Sequence, residues 1–242
     1  NELLLILSRV GYSFYEIYIT SQRAFRALGF PFGADEDAGF IIAWLELNHF
    51  HGIKILYNLI TSIDQQYDGT IKIDSLSEKI DFKNRTILMK GSGLIDYLQS
   101  IINQKEEISI TIKNCQDAIL FLPLLYKISK KISYLELQFN NSNNDIHKYK
   151  IKNNEITFEY ETNKDLLSIN EIIIIMNKDK KNLKNFSAEK IITQKIIQNN
   201  LLQSIKPAKD LWEKVSEIAN KTFVPESEES RDKGAGGGDA ND

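Results

Sequence analysis

Apolar residues in the first quarter of the chain recur at helical spacing; further on they alternate. Glu2 to Val10 is apolar almost all round, which predicts a buried helix interrupted by Gly11. Ser13 is a favourable N-cap for a second helix, Phe14 to Leu28, with Ile17, Ala24 and Ala27 near one face. Gly29 stands where a helix C-cap glycine belongs, and Pro31 prevents continuation. Asp35-Glu36-Asp37 opens the next helix, three acids at the positive end of its dipole. Phe40, Ile41, Trp44 and Leu45 then form one stripe for burial. Gly52 breaks the run, and Ile53 to Ile63 continues it as another amphipathic helix.

The middle reads as strands and helices in alternation. Gln65 to Ile73 and Arg85 to Lys90 are predicted strands, and Gly91-Ser92-Gly93 leads into a helix, Leu94 to Asn103. Ile108 to Lys113 has isoleucine at every second position, the mark of a half-buried strand. Asp117 to Lys130 is helical, kinked at Pro123, and Ile132 to Phe139 is a strand. Lys148 to Lys152 and Glu155 to Glu161 flank Asn153-Asn154, a hairpin signal because asparagine tolerates positive φ. Glu171 to Asn177 is a strand of the buried type, and Ser187 to Ile205 is helical. A last helix starts at Pro207 and runs to about Lys221, with Leu211, Trp212, Val215 and Ile218 inward. This order predicts an α+β protein: a helical N-terminal subdomain packed on a mixed β-sheet, two C-terminal helices and a glycine-rich tail. The divisions are 1–64, 65–223 and 224–242. The joint near Ser62 to Gly69 lacks linker composition, which also fits one folding unit.

Composition narrows the class. With 242 residues, 42% apolar and 26% charged, the chain has enough material for a core, and a net charge of −3 gives no basic field for nucleic acid or an anionic membrane. Leu3 to Leu7 is too short for a membrane span. The chain opens at Asn1, which implies processing or trimming. A single cysteine, Cys115, excludes an internal disulfide and a thiolate-rich zinc site, so a reducing cytoplasm is the simplest setting.

Several stretches are candidates for chemistry. Gly91-Ser92-Gly93 between a strand and a helix offers N–H groups to an anion, but the third glycine of a dinucleotide fingerprint is replaced by Asp96, which repels a pyrophosphate. No motif asks for a cofactor. His49-Phe50-His51 shares a metal only if extended, because on a helix the rings point about 200° apart; the plain reading is a surface pair at a helix end. Cys115 before a helix is either activated or, more simply, a buried structural residue. Lys178, Lys180, Lys181 and Lys184 read as a solvated loop or a phosphate-binding one. Arg23 and Arg26 precede Gly29-Phe30-Pro31-Phe32-Gly33, and an arginine reaching between helices suits carboxylate or phosphate; the plainer role is a surface pair with Glu36 or Asp37. By composition Glu226 to Asp242 is a loose acidic tail. If ordered, its glycine N–H groups form a nest for an anion, with Arg231 and Lys233 adding charge. Asp239 and Asp242 are a thin alternative site for a hard cation.

Two stretches together resemble the bacterial family called domain of unknown function 3726. One runs from Arg23-Ala24-Phe25-Arg26 through Gly33-Ala34-Asp35-Glu36-Asp37-Ala38-Gly39 to Trp44-Leu45. The other is Thr222-Phe223-Val224-Pro225-Glu226 followed by Gly234-Ala235-Gly236-Gly237-Gly238-Asp239-Ala240-Asn241-Asp242. The chain departs from the family pattern at Phe223, a tyrosine there, at Asp37, a glutamate there, at Gly39 after Ala38, and at Ala240 inside the acidic ending. The resemblance covers the ends and little of the middle. It implies that the tail belongs to the unit, and it carries over no catalytic residue. The first helices are also faintly similar to the N-terminal segment of the malate/lactate dehydrogenases that lack a Rossmann fold, and no residue is carried over from them.

The sequence thus points to a small carboxylate or phosphate metabolite as ligand, held by Arg26, Arg231, Gly234 and Gly236, with Glu36 or Asp37 as a base if shielded from water. It does not separate an enzyme from a binding subunit. The alternative is an accessory protein whose tail is ordered on a protein partner.

Overall fold

The computed structural model describes residues 11–73, 79–115, 117–140, 145–161, 171–178 and 189–222. The apolar run from Glu2 to Val10, most of the lysine cluster after Lys178 and the whole glycine-rich tail lie outside them.

Helices α1 (Phe14–Ala27), α2 (Ala34–Leu47) and α3 (Gly52–Ile63) build the N-terminal part. Ser13 caps α1 in a reciprocal box: its Oγ accepts from the Glu16 N–H at 3.2 Å, and Glu16 Oε2 accepts from the Ser13 N–H at 2.8 Å. Gly29 ends the helix at φ 89°, a conformation that costs glycine nothing. The first turns of α2 lie tightly on α1. A Cβ on Gly39 would stand 3.0 Å from the Gln22 nitrogen and 3.1 Å from its Cα, so the glycine that departs from the family pattern sets the closeness of the two backbones. Ile17, Phe25, Ile41, Ile42 and Leu45 are fully buried behind this contact.

After Asp64 the chain crosses to α4 (Ile87–Ile102) by way of a three-residue strand, β1 (Lys79–Asp81). Two predicted strands are corrected here. Residues 66–73 form no strand, and Arg85 to Lys90 enter α4 instead of a ladder. Thr86 caps α4 through its Oγ1, and Ile87, Leu88, Leu94, Ile95 and Leu98 are buried by it. Gly91-Ser92-Gly93 is therefore helix interior, its N–H groups spent on the helix, and the strand-to-helix turn read there, with its candidate anion site, is replaced by helix. Gly91 leaves room for a neighbour: a Cβ there would lie 3.1 Å from Leu124 Cδ1.

The sheet contains β1, β2 (Glu107–Lys113), β3 (Tyr134–Asn140), β4 (Ile146–Lys152), β5 (Glu155–Glu161), β6 (Ile172–Asn177) and β7 (Glu189–Ile192). Their order is β1-β2-β6-β3-β4-β5-β7, parallel at β1–β2 and antiparallel at the other pairings. The mixed sheet expected of an α+β protein is thus present. Asn153 (φ 54°) and Asn154 (φ 59°) make the predicted hairpin turn. A 3₁₀ turn, Ala118–Leu120, leads into α5 (Phe121–Ile128), where Pro123 falls in the first turn; its missing N–H is one the helix does not need, so no kink arises. The helix expected over Ser187 to Ile205 is divided. Ile192 pairs with Ile156 at the sheet edge, then Thr193 caps α6 (Gln194–Leu201). Here β-branched residues meeting an open edge outweigh helical spacing. Helix α7 (Lys209–Asn220) buries Trp212, Val215 and Ala219 and returns to α1, with the Tyr12 and Trp212 rings 4.6 Å apart. No helix among the described residues is long and apolar enough to cross a membrane.

Candidate functional site

Four residues, Asn48 to His51, join α2 to α3. The Phe50 N–H reaches the Leu45 carbonyl at 2.8 Å and the His49 N–H that of Glu46 at 3.2 Å, the paired bonds of a Schellman ending. This places His49 in the left-handed region, φ 65°, where glycine is the usual occupant. His51 is left-handed as well, φ 54°, and forms the N-cap of α3 without a side-chain hydrogen bond. The Glu46 carboxylate serves instead, accepting the Ile53 N–H at 2.9 Å. Gly52 is required: a Cβ would sit 2.2 Å from the Ile42 carbonyl oxygen. Two non-glycine residues in this region cost on the order of 1 kcal/mol each, as do seven other non-glycine positions among the described residues.

Phe50 turns inward, stacked on Trp44 at 6.4 Å and edge-on to Tyr149 at 6.2 Å. Its two neighbours stay exposed, and both line one cleft of about 240 Å³. The opposite wall comes from the far end of the chain, chiefly Asn200, Gln203, Ser204 and Lys206. Asn200 fastens this wall, its amide donating to the Leu47 carbonyl at 3.3 Å and to Asn48 Oδ1 at 3.4 Å. A clip between Tyr12 and Ile205, two backbone bonds of 2.7 Å, holds the segment from the other side. The result gathers two imidazoles, an ammonium group, two amides, a hydroxyl and a carboxylate. Such a set can hold a small anion and exchange a proton with a hydroxyl beside it. A metal centre does not follow: among the described residues no group of three or more His, Cys, Asp and Glu is arranged to hold one.

Arg26 faces Asp35, not Glu36 or Asp37. Its Nε and Nη2 donate to Asp35 Oδ2 at 3.0 and 2.7 Å, and Gln22 Nε2 adds a bond of 3.3 Å. Asp35 is fully buried, while the Arg26 side chain is 38% exposed and its guanidinium lies 4.3 Å from the Phe32 ring centroid. Tyr18, one turn before Gln22, has its hydroxyl pKa raised by burial first and then by the charges of Glu36, Asp35 and Asp37. Glu36 is exposed; Asp37 is half-buried and points to Lys127 at 3.9 Å. Arg23 lies apart from this cluster, beside Glu16 and Trp212. Cys115 is buried, and burial followed by the charge of Asp117 pushes its thiol well up, away from the nucleophilic thiolate. Lys178 donates through Nζ to the Asn103 carbonyl at 3.4 Å. Arg231, Gly234, Gly236, Asp239 and Asp242 lie outside the described residues.

The sequence named the histidine pair but not its surroundings. Glu46, Asn200 and Lys206 carry no motif, and 154 positions separate the first from the second. The available signal is the histidine at position 49, where the end of α2 asks for glycine.

A family model described as protein of unknown function (DUF3726) matches residues 12–86, a span that includes Arg26, Asp35 and both histidines but not the tail. No curated protein sequence matches the chain. Among solved structures the fold is similar to malate dehydrogenase from Pyrococcus horikoshii OT3 (TM-score 0.62, 10% identity, 89% of this chain and 96% of that one). It is also similar to sulfolactate dehydrogenase from Methanocaldococcus jannaschii (0.61, 10%, 88% and 97%). A third is delta1-piperideine-2-carboxylate reductase from Pseudomonas syringae pv. tomato (0.61, 9%, 86% and 99%). The chain therefore has a dehydrogenase-like fold.

Proposed function

We propose that the chain binds a small carboxylate or phosphate metabolite in the cleft beneath His49 and His51, as an enzyme or as the binding subunit of one. One observation carries the reading: two histidines occupy energetically costly left-handed positions on the same cleft, opposite Lys206. A charged imidazole and the Lys206 ammonium hold the anion; a neutral imidazole accepts a proton from a neighbouring hydroxyl. The structural neighbours lend support, because their names share a small carboxylate. Arg26 with Arg231, Gly234 and Gly236 forms, in this proposal, a second anion-binding element, with Glu36 or Asp37 beside it as the base. A cytoplasmic setting fits the single, buried cysteine.

Thermal-shift titration of the full chain with malate, lactate, sulfolactate and inorganic phosphate tests the cleft. His49→Asn, His51→Asn and Lys206→Gln are the variants, since asparagine keeps the left-handed backbone. At least one anion raises the melting temperature of the wild type and loses most of that effect in His51→Asn and Lys206→Gln. An equal rise in those variants, or none with any anion, overturns the cleft. Removal of residues 226–242 tests the second element: reduced anion stabilisation supports it. Unchanged stabilisation with loss of a co-purifying protein favours a tail that serves a partner.

A further inference from the structure

Another groove lies away from His49 and His51, between α4, α5 and the start of α2, and encloses about 390 Å³. Its charges are sorted by wall. Lys127 and Lys131, four residues apart at the end of α5 and just beyond it, form the cationic side. Ser92 and Asp96, four residues apart on α4, form the other, and Asp37 stands beside Lys127. Lys127 and Asp37 form an exposed ion pair at 3.9 Å, and Asp96 accepts a 3.4 Å bond from the Gln99 amide. Between the walls the groove is floored by Ile95, Leu124 and Ile128, all buried.

A groove of this size, one wall positive and one negative over an aliphatic floor, is complementary to a small zwitterion. We infer that it binds an aliphatic α-amino acid. The ligand carboxylate lies on Lys127 and Lys131, its ammonium on Asp96, and its side chain on the isoleucine and leucine floor. A ligand with only one of its charges forgoes the contact with the opposite wall. That asymmetry is what distinguishes this site from the anion cleft, and it stands whether or not the cleft reading holds.

Isothermal titration of the full chain with leucine, leucine methyl ester and 4-methylpentanoate is the test. Leucine binds, while the ester, lacking the carboxylate, and the acid, lacking the ammonium, each bind about two- to fivefold more weakly, the effect of one solvent-exposed charge contact. Asp96→Asn and Lys127→Gln, both on exposed side chains, weaken leucine by a similar factor, and His51→Asn leaves it unchanged. Circular dichroism of each variant confirms the fold. Equal binding of leucine and 4-methylpentanoate, retention of affinity in both groove variants, or no heat with any amino acid to millimolar concentration overturns the assignment.

Discussion

Replacing Asp35 with alanine removes the centre of the contact between α1 and α2. Its Oδ2 accepts from Arg26 Nε and Nη2 and from Gln22 Nε2; its Oδ1 accepts the Glu36 N–H at 2.9 Å. Gln22 is 7% exposed, so its orphaned amide costs about 1–3 kcal/mol. The Arg26 side chain is 38% exposed, so water takes over much of its charge and the ion pair contributes only about 1 kcal/mol. Loss of an acid at the helix N-terminus adds roughly 0.5 kcal/mol. Together these give a loss of about 3 kcal/mol, or a melting point lower by roughly 6–12 °C for a chain of this length. Urea unfolding of Asp35→Ala, Arg26→Ala and the double variant measures it. Arg26→Ala leaves the fully buried Asp35 carboxylate without its cation and costs about 3–5 kcal/mol, and the double variant costs less than the sum. Additive losses, or an Asp35→Ala cost below about 1 kcal/mol, refute the argument that Gln22 and Arg26 depend on this one carboxylate.

Other expectations follow from the same contacts. Gly39→Ala places a methyl against the Gln22 backbone and lowers stability by about 1–3 kcal/mol, measured by urea titration. His49→Gly relieves a left-handed residue and raises stability by up to about 1 kcal/mol in the same assay, while lowering anion stabilisation, a trade of binding against stability. Asp68 is held below the usual carboxylate range, chiefly by the Thr70 N–H and then by Lys90. Its folded pKa is depressed, so its contribution is present at neutral pH and lost as pH falls through that folded value; Asp68→Asn flattens the acid limb of a stability–pH curve.

Much of the fold was legible because its cues are local. Ser13, Gly29 with Pro31, and Asn153-Asn154 each act within a few residues, and each forms the element it predicts. Arg85 to Lys90 misled because an apolar run of that length fits a strand or a buried helix, and the Thr86 cap decides only once α5 offers a surface. Ile191-Ile192 misled in the opposite sense, since the β5 edge that recruits Ile192 lies more than thirty residues earlier. The candidate cleft was half-legible. His49 and His51 are visible as a pair, but the rule that puts them on opposite sides of a helix fails because both adopt left-handed backbone. Lys206 and Asn200 reach them only through α6 and the Tyr12–Ile205 clip.

The position of β6 also has a meaning in time. It fills the gap between β2 and β3, yet it is made after β4 and β5. At about 5–20 residues per second, the ribosome finishes β2 roughly 3–12 s before β6 begins. Through that interval the inner edge of Glu107–Lys113 has no partner strand from β6, and for roughly the last 2–6 s the same holds for Tyr134–Asn140; both carry alternating apolar side chains. Substitutions that make these edges more adhesive would therefore lower the yield of folded chain during synthesis while leaving the melting temperature of the finished protein untouched.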